Sequence, residues 1–402
     1  MKILLFSTLF PNAAQPQHGV FVENRMRQWL ATGRAEVRVV APVPWFPFRA
    51  DTFGAWARFA RVPAAEVRHG VPVLHPRYPV IPAIGMNVAP YLLYLWTRPT
   101  LARLRREGFD FDLIDAHYFY PDGVAAGFLA AVLDRPYVVT ARGSDVNLIA
   151  QHAWPRRLIR RAAQRAAGVV TVSAALRDTL AGIGVDPARI DVLRNGVDLV
   201  RFRPPADREA LRRSLRIDGP TLVSVGHLVP GKGHDLAVRA MTGLPDHRLI
   251  VIGEGPERKN LDALVRSLGL GDRVRLAGAL PHESLPDHYG AADALLLMSA
   301  REGWPNVVLE AMACGTPVIA TDVGGIPEII GTPEAGFMLP ERTPDALATA
   351  VRRIGAQPPD RAATRAWAEG FGWQPTVDGQ LRLFAQAIEA DRAGRTCRRA
   401  CA

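Results

Sequence analysis

Cysteine is nearly absent: Cys314, Cys397 and Cys401 are all that occur in 402 residues. An odd count at that spacing supplies neither a disulfide framework nor a tetrahedral metal set, and it suits a reducing compartment. Long apolar runs are missing too. The longest interior stretch, VAPYLLYLWT at 88–97, ends at Arg98 and reaches about half of the roughly 20 residues a membrane-spanning helix needs. The opening MKILLFSTLF puts a lysine before an apolar run, with small residues at Ala13 and Ala14, as a signal peptide would. It is equally a first buried strand, the reading favoured by the proline-rich turn and amphipathic helix that follow. Repeats and low-complexity tracts are lacking, and 22% charged against 48% hydrophobic residues is ordinary for a folded globular chain.

One charge sign is in excess. The formal charge of +10 favours anionic partners: phosphorylated substrates, acidic lipid headgroups or nucleic acid. The basic residues are scattered and form no recognisable nucleic-acid module, so nucleic acid is set aside.

The length exceeds one domain of roughly 100–200 residues, and two is the simplest count. Short β-branched runs alternate with helical patterns, the signature of βαβ units and a mainly parallel sheet. Strands are expected at 2–8, 37–42, 111–117, 137–141 and 168–173. The pattern then restarts at 221–226, 248–253, 273–278, 294–298 and 316–321. This is an α/β chain of two doubly wound units. Pro204 and Pro205 interrupt the polar stretch between Phe202 and Pro220, which puts an N-terminal Rossmann-like domain at 1–205 and a second at 206–375. Residues 376–402 then form a helix crossing back to the first domain and a frayed basic tail. Ligands of such sheets bind beyond the carboxyl ends of the strands, so two facing sheets place an active site in the cleft between them.

The stretch SAREGWPNVVLEAMACGTPVIATDVGGIPEII, 299–330, is the most informative. Pro305 suits a first helical turn, leaving Glu302 in the loop before it and Glu310 inside the helix. The amides of Gly303, Asn306 and Val307, with the helix dipole, then make a cradle for sugar hydroxyls and a diphosphate. Glu310 can accept hydrogen bonds from ribose hydroxyls, and Glu302 from sugar hydroxyls. The alternative is an acidic loop followed by a buried helix; Gly324 and Gly325, opening the turn after the next strand, favour function.

SVGHLVPGKGHDLAVRA, 224–240, has the G-x-x-x-x-G-K spacing of a P-loop at Gly226, Gly231 and Lys232, but Gly233 stands where that motif needs Ser or Thr for magnesium. Lys232 is a candidate for neutralising charge on a departing diphosphate, or an exposed helix-start lysine. VIGEGPE at 251–257 fails as a dinucleotide fingerprint because Arg258 replaces the third glycine. A tight turn at Gly253 near a nucleotide is expected, and main-chain groups of 274–280, from Val274, suit recognition of its base; either segment is alternatively a plain fold-determining turn. In the first half, Gly19 after His18 lets backbone approach an acceptor or phosphate, or makes a plain turn or helix cap. His117, Arg142 and Asp145 lie at strand carboxyl ends and should face the cleft; His117 is catalytic or merely structural.

With these residues assembled, the chain resembles the family-4 retaining glycosyltransferases of the GT-B fold, over nearly its whole length. The 302–310 segment with its following glycines and the VGHLVPGKG loop carry most of the likeness, with support from GEGP and from NGVD at 195–198. The resemblance implies a nucleoside-diphosphate sugar donor bound mostly by the second domain, an acceptor held mostly by the first, and no metal ion or other cofactor. It implies that Lys232 contacts the diphosphate, Glu302 the transferred sugar and Glu310 the ribose, with Gly19 near the donor phosphates. Two positions depart from the family: His227 stands where Arg is usual, and Arg142 where many members carry His, so that Arg142 would lend a second cation to the leaving group. For the family, retention implies a leaving phosphate that itself deprotonates the acceptor hydroxyl. The implied acceptor is saccharide or lipid-linked, in polysaccharide or glycolipid assembly. The basic run WPRRLIRRAAQR, 154–165, either seats a cytoplasmic enzyme on anionic membrane or is a solvated helix face, and PVPWFPF, 42–48, contacts acceptor or bilayer. Alternatives are a nucleotide-sugar epimerase of the same architecture and a catalytically silent sugar-nucleotide binder.

Overall fold

The computed structural model describes residues 1–81 and 85–400. They form two compact units, 1–194 with 375–402, and 195–374. The first division falls at Arg194, ahead of Pro204 and Pro205, because the NGVD segment belongs to the second unit: Val197 donates to Phe371 O at 3.0 Å, and the Asn195 side chain reaches Asn306 at 3.2 Å.

The first unit is built on an eight-stranded sheet. In spatial order its strands are Ile190–Val192, Gly168–Thr171, Tyr137–Ala141, Leu113–His117, Lys2–Phe6, Glu36–Val40, Val71–Leu74 and Ala65–Arg68. All neighbours run parallel except the last pair. Central strands such as YVVTA and LIDAH are buried at every residue, as parallel strands covered by helices on both faces must be. The chain order reverses at Lys2–Phe6, which has Glu36–Val40 on one side and Leu113–His117 on the other.

The second unit has six strands, all parallel: Val274–Gly278, Arg248–Ile252, Thr221–Val225, Ala294–Leu297, Val318–Thr321 and Gly336–Leu339. Here the order reverses at Thr221–Val225. One core joins the sheet residues Leu222, Leu249, Val251 and Leu296 to the helix residues Ala237, Val238, Leu261 and Leu347. Helix starts follow from the local sequence. Asp207 and Thr343 accept from the amides of Ala210 and Ala346, and Pro344 occupies the first turn after Thr343.

The closing helix, Gln374–Ala400, belongs to the first unit from Pro375 onward. Gly168 admits it, since a Cβ there would lie 2.7 Å from Leu383, and Phe384 meets Trp29 edge-on at 5.7 Å. The frayed tail expected at 392–402 is instead helical through Ala400, with Arg392 paired to Asp112; residues 401 and 402 lie outside the described residues. Among the described residues, no helix is long and apolar enough to cross a membrane.

Candidate active site

In the second unit the two strands at the reversal end in the two loops that carry the chemistry. Thr221–Val225 runs into Gly226–Lys232, and Ala294–Leu297 into Met298–Pro305. Backbone locks them together: Ala300 donates to Gly231 O at 2.8 Å. Gly233 takes a left-handed conformation in which a Cβ would stand 2.2 Å from Met298 O. The serine or threonine of a P-loop therefore has no room here, which is the physical content of the broken motif. Lys232 Nζ reaches Glu302 Oε1 at 2.6 Å, and Ser299 Oγ donates to the same oxygen at 2.6 Å. Glu302 is buried while Lys232 keeps about a third of its side chain exposed. One carboxylate oxygen is thus held by two donors, and the half-buried ammonium has more donors than this one bond uses.

The helix expected after Pro305 spans Asn306–Ala313, with Pro305 at the N-cap, one position ahead of the first turn. Its first amides, those of Asn306 and Val307, have no intrahelical acceptors and carry the positive end of the dipole. Gly303 is buried between Glu302 and Trp304, and Trp304 Nε1 anchors the loop on Asn195 O at 2.9 Å. Glu310 projects from the second turn. Its two oxygens accept from His282 Nε2 and Tyr289 OH, each at 3.0 Å. Burial opposes charge on His282, but Glu310 more than offsets it and raises the imidazole above its ordinary pKa. Two accepted bonds leave lone pairs on the Glu310 carboxylate for hydroxyl donors.

The neighbouring loops behave differently from the expectation. Gly253 bonds its N–H to Gly278 O at 2.9 Å, and a Cβ on it would lie 1.8 Å from Gly226 O. Its role is to let the Lys232 loop pass close by, and its own amide is not free for a nucleotide. Val274 starts its strand with its side chain in the core, at the amino end. The carboxyl end of that strand, the end where ligands of such sheets bind, is Gly278. His227 is exposed on the lysine loop.

In the first unit, Gly19 is the left-handed residue that opens the helix Val20–Leu30. A Cβ there would meet Leu9 O at 2.3 Å, so the loop after the first strand closes tightly on the helix N-terminus. Next to it, His117 is fully buried at the end of its strand. Its Nε2 lies 2.9 Å from Asp115 Oδ2 and its Nδ1 2.5 Å from Arg142 Nη2. Since guanidinium only donates, Nδ1 accepts and the ring proton sits on Nε2, donated to Asp115. Burial, against the pull of Asp115 and aided by Arg142, pushes His117 down to about 4. The imidazole is therefore neutral and enclosed with both nitrogens engaged, one by Asp115 and one by Arg142. Arg142 is half-buried, its guanidinium 5.4 Å from the ring centre of Phe21 on the Gly19 helix. Asp145, expected to face open space, is instead turned inward, accepting the amides of Phe119, Gly143 and Arg142 at 2.6, 2.7 and 3.1 Å.

Sequence reasoning missed Asp115, Ser299, His282 and Tyr289. Asp115 had a visible signal, being a carboxylate two residues before a histidine in an otherwise apolar central strand, where alternation puts both on one face. The others reach the site only through folding.

Comparison with known proteins identifies the family. Residues 19–201 match the Glycosyltransferase Family 4 model and residues 207–369 that of Glycosyl transferases group 1. The chain is 31% identical over 360 residues to the Bacillus subtilis protein TuaC, assigned as a teichuronic acid biosynthesis glycosyltransferase, covering 88% of this chain and 89% of that one. It is 32% identical over 372 residues to a D-inositol 3-phosphate glycosyltransferase of Kineococcus radiotolerans, covering 82% and 84%. Among solved structures, Anabaena HepE in complex with UDP-glucose aligns over 97% of this chain and all of its own with a TM-score of 0.72 at 23% identity. The chain is therefore a glycosyltransferase of the GT-B fold and belongs to the family-4 glycosyltransferases.

Proposed function

We propose that this glycosyltransferase is a retaining, metal-independent hexosyltransferase that takes its sugar from a nucleoside-diphosphate donor and passes it to a saccharide or lipid-linked acceptor in polysaccharide or glycolipid assembly. The observation that carries the reading is the Lys232–Glu302 pair beside the N-terminus of Asn306–Ala313. A half-buried ammonium and the first amides of the helix offer countercharge for a diphosphate, and a preoriented carboxylate offers an acceptor for sugar hydroxyls. Glu310, oriented by His282 and Tyr289, takes the ribose. HepE, with bound UDP-glucose, supports a uridine donor, and the assignment of TuaC supports a polymer-building role.

The chemistry is electrostatic and positional. As the glycosidic bond to the diphosphate breaks, Lys232 and the helix dipole stabilise the leaving oxygens, and the departing phosphate removes the proton of the incoming hydroxyl on the same face of the sugar. Membrane seating is part of the proposal. Trp45 and Phe48 are 58% and 55% exposed, and Arg157, Arg160 and Arg161 line the open face of the helix Ala153–Arg165, a combination suited to the anionic inner face of the plasma membrane.

The test is nucleoside diphosphate release from a panel of UDP-, GDP- and ADP-sugars, with and without a lipid extract and with and without EDTA. Release from one donor that rises with acceptor, survives EDTA and disappears in Lys232→Ala and Glu302→Ala is expected. A covalent sugar adduct trapped on the protein would overturn the mechanism, and absence of both turnover and binding across the panel would overturn the function.

A further inference from the structure

The buried face beneath Arg142 carries a chain of polar side chains that the catalytic reading does not use. Arg25, on the helix Val20–Leu30, directs Nε to Gln380 Oε1 at 2.5 Å and Nη1 to Leu193 O at 2.8 Å. Gln380, on the closing helix, donates Nε2 to Asp115 Oδ2 at 3.3 Å. Asp115 accepts from His117, and His117 accepts from Arg142. Arg25, Gln380, Asp115 and His117 are each at most 1% exposed. A polar series this deep costs stability unless each member is bonded, and replacing it by apolar residues would serve packing at least as well. Its direction is informative. Each link restricts the next: Gln380 and Arg25 settle the Asp115 carboxylate, Asp115 draws the imidazole proton onto Nε2, and the Nδ1 lone pair is thereby aimed at Arg142.

We propose that Gln380, Asp115 and His117 form a positioning relay through which the closing helix holds the Arg142 guanidinium in the orientation that meets a phosphate group of a bound substrate. The inference rests on the reading of Arg142 as a substrate-facing cation. A free arginine side chain is rich in rotamers, and an acceptor fixed from below removes that freedom before the substrate arrives. The tautomer matters as much as the contact. With the proton on Nδ1, the imidazole would present a donor to a group that only donates, and Arg142 would be turned away. Asp115 excludes that state, and the closing helix therefore acts on activity as well as on folding.

A double-mutant cycle on the full chain tests this, with turnover of the donor identified by the panel and melting temperature read in parallel. Arg142→Ala is expected to lower kcat/KM about a hundredfold, and Gln380→Met about tenfold through kcat, with donor KM nearly unchanged. In Arg142→Ala/Gln380→Met the second loss should vanish, because there is no guanidinium left to position. Histidine variants give an independent reading. His117→Asn keeps an oxygen near the Nδ1 position for Arg142, whereas His117→Gln places its polar group near Nε2 and removes the contact that His117 makes to Arg142, so the Gln variant should be the slower of two equally folded proteins. Losses that multiply in the double variant, or full activity in Gln380→Met, would overturn the relay while leaving the Arg142 reading intact. Unchanged turnover in Arg142→Ala would overturn both.

Discussion

Gly324 offers the sharpest test of the donor-side geometry. It adopts φ +56°, and a Cβ built on it would stand 2.0 Å from Glu302 O and 2.9 Å from Glu302 C. Real contacts of that kind do not fall below 3.0 Å, so Gly324→Ala must move the Glu302 backbone, its own, or both by about 1 Å. Neither atom is the end of a flexible side chain, so the displacement passes directly to the carboxylate that holds Lys232. A misplacement of about 1 Å costs on the order of a hundredfold in rate, and the left-handed backbone adds roughly 1–2 kcal/mol against folding. The expected variant is therefore folded, melts a few degrees lower, and turns over about a hundredfold more slowly in the nucleoside diphosphate release assay. Gly355→Ala serves as control. That glycine lies inside the helix Pro344–Ala356 with nothing within 4 Å of a new Cβ, so turnover should be unchanged and stability should rise by about 0.5–1 kcal/mol. A Gly324→Ala protein that keeps more than half of wild-type turnover would refute the argument that this glycine sets the position of Glu302.

Three further outcomes are expected. Glu310→Gln should weaken binding of the cognate nucleoside diphosphate about tenfold, measured by calorimetry, and the 2′,3′-dideoxy nucleotide should bind wild type and variant alike. Gly19→Ala, whose Cβ would stand 2.3 Å from Leu9 O, should lower melting temperature and turnover together because the loop after the first strand must open. Asp122 is fully buried, with Thr8 donating to both of its oxygens, and burial pushes it up to about 7 against those bonds. A carboxyl whose pKa is higher folded than unfolded contributes stability at low pH that is lost as pH rises from about 4 to about 7. Asp122→Asn escapes that loss, so its melting temperature relative to wild type should climb between pH 5 and pH 8; a difference that stays flat would count against the assignment.

The strands legible in the sequence are those buried on both sides. LIDAH, YVVTA, TLVSV and RLIVI are near-continuous apolar runs because helices cover both faces of a parallel sheet. The strands that escaped notice lie at or beside the sheet edges. Ala65–Arg68 is nowhere fully buried, Val71–Leu74 carries Pro72, Ile190–Val192 is three residues long, and Gly336–Leu339 is mostly half-exposed. An edge strand needs no apolar run, so it leaves no periodic trace.

For the candidate site, local sequence pointed to Lys232, Glu302 and Glu310 through glycine-rich turns between strand and helix, which leave backbone amides without intrahelical partners. It could not pair them. Lys232 and Glu302 meet across 70 positions only because their strands are neighbours at the point where sheet order reverses. Nor did it show how some of the residues it singled out are surrounded. His117, open from sequence to a catalytic or a structural reading, is fully buried; Val274, in a segment read as a base contact or a plain turn, begins its strand in the core; and Gly253, read as a turn near a nucleotide or a plain turn, packs its Cα against a neighbouring loop. In each case residue type and strand position are local, whereas burial, tautomer and hydrogen-bond partner depend on chain that arrives from far away. Gln380 is the extreme example, 265 residues from the carboxylate it touches. The amino-acid sequence alone determined two mainly parallel α/β units and the residue types at their strand ends; which of those polar groups are buried and which partners they meet was decided by tertiary packing, because only packing sets what surrounds a charge.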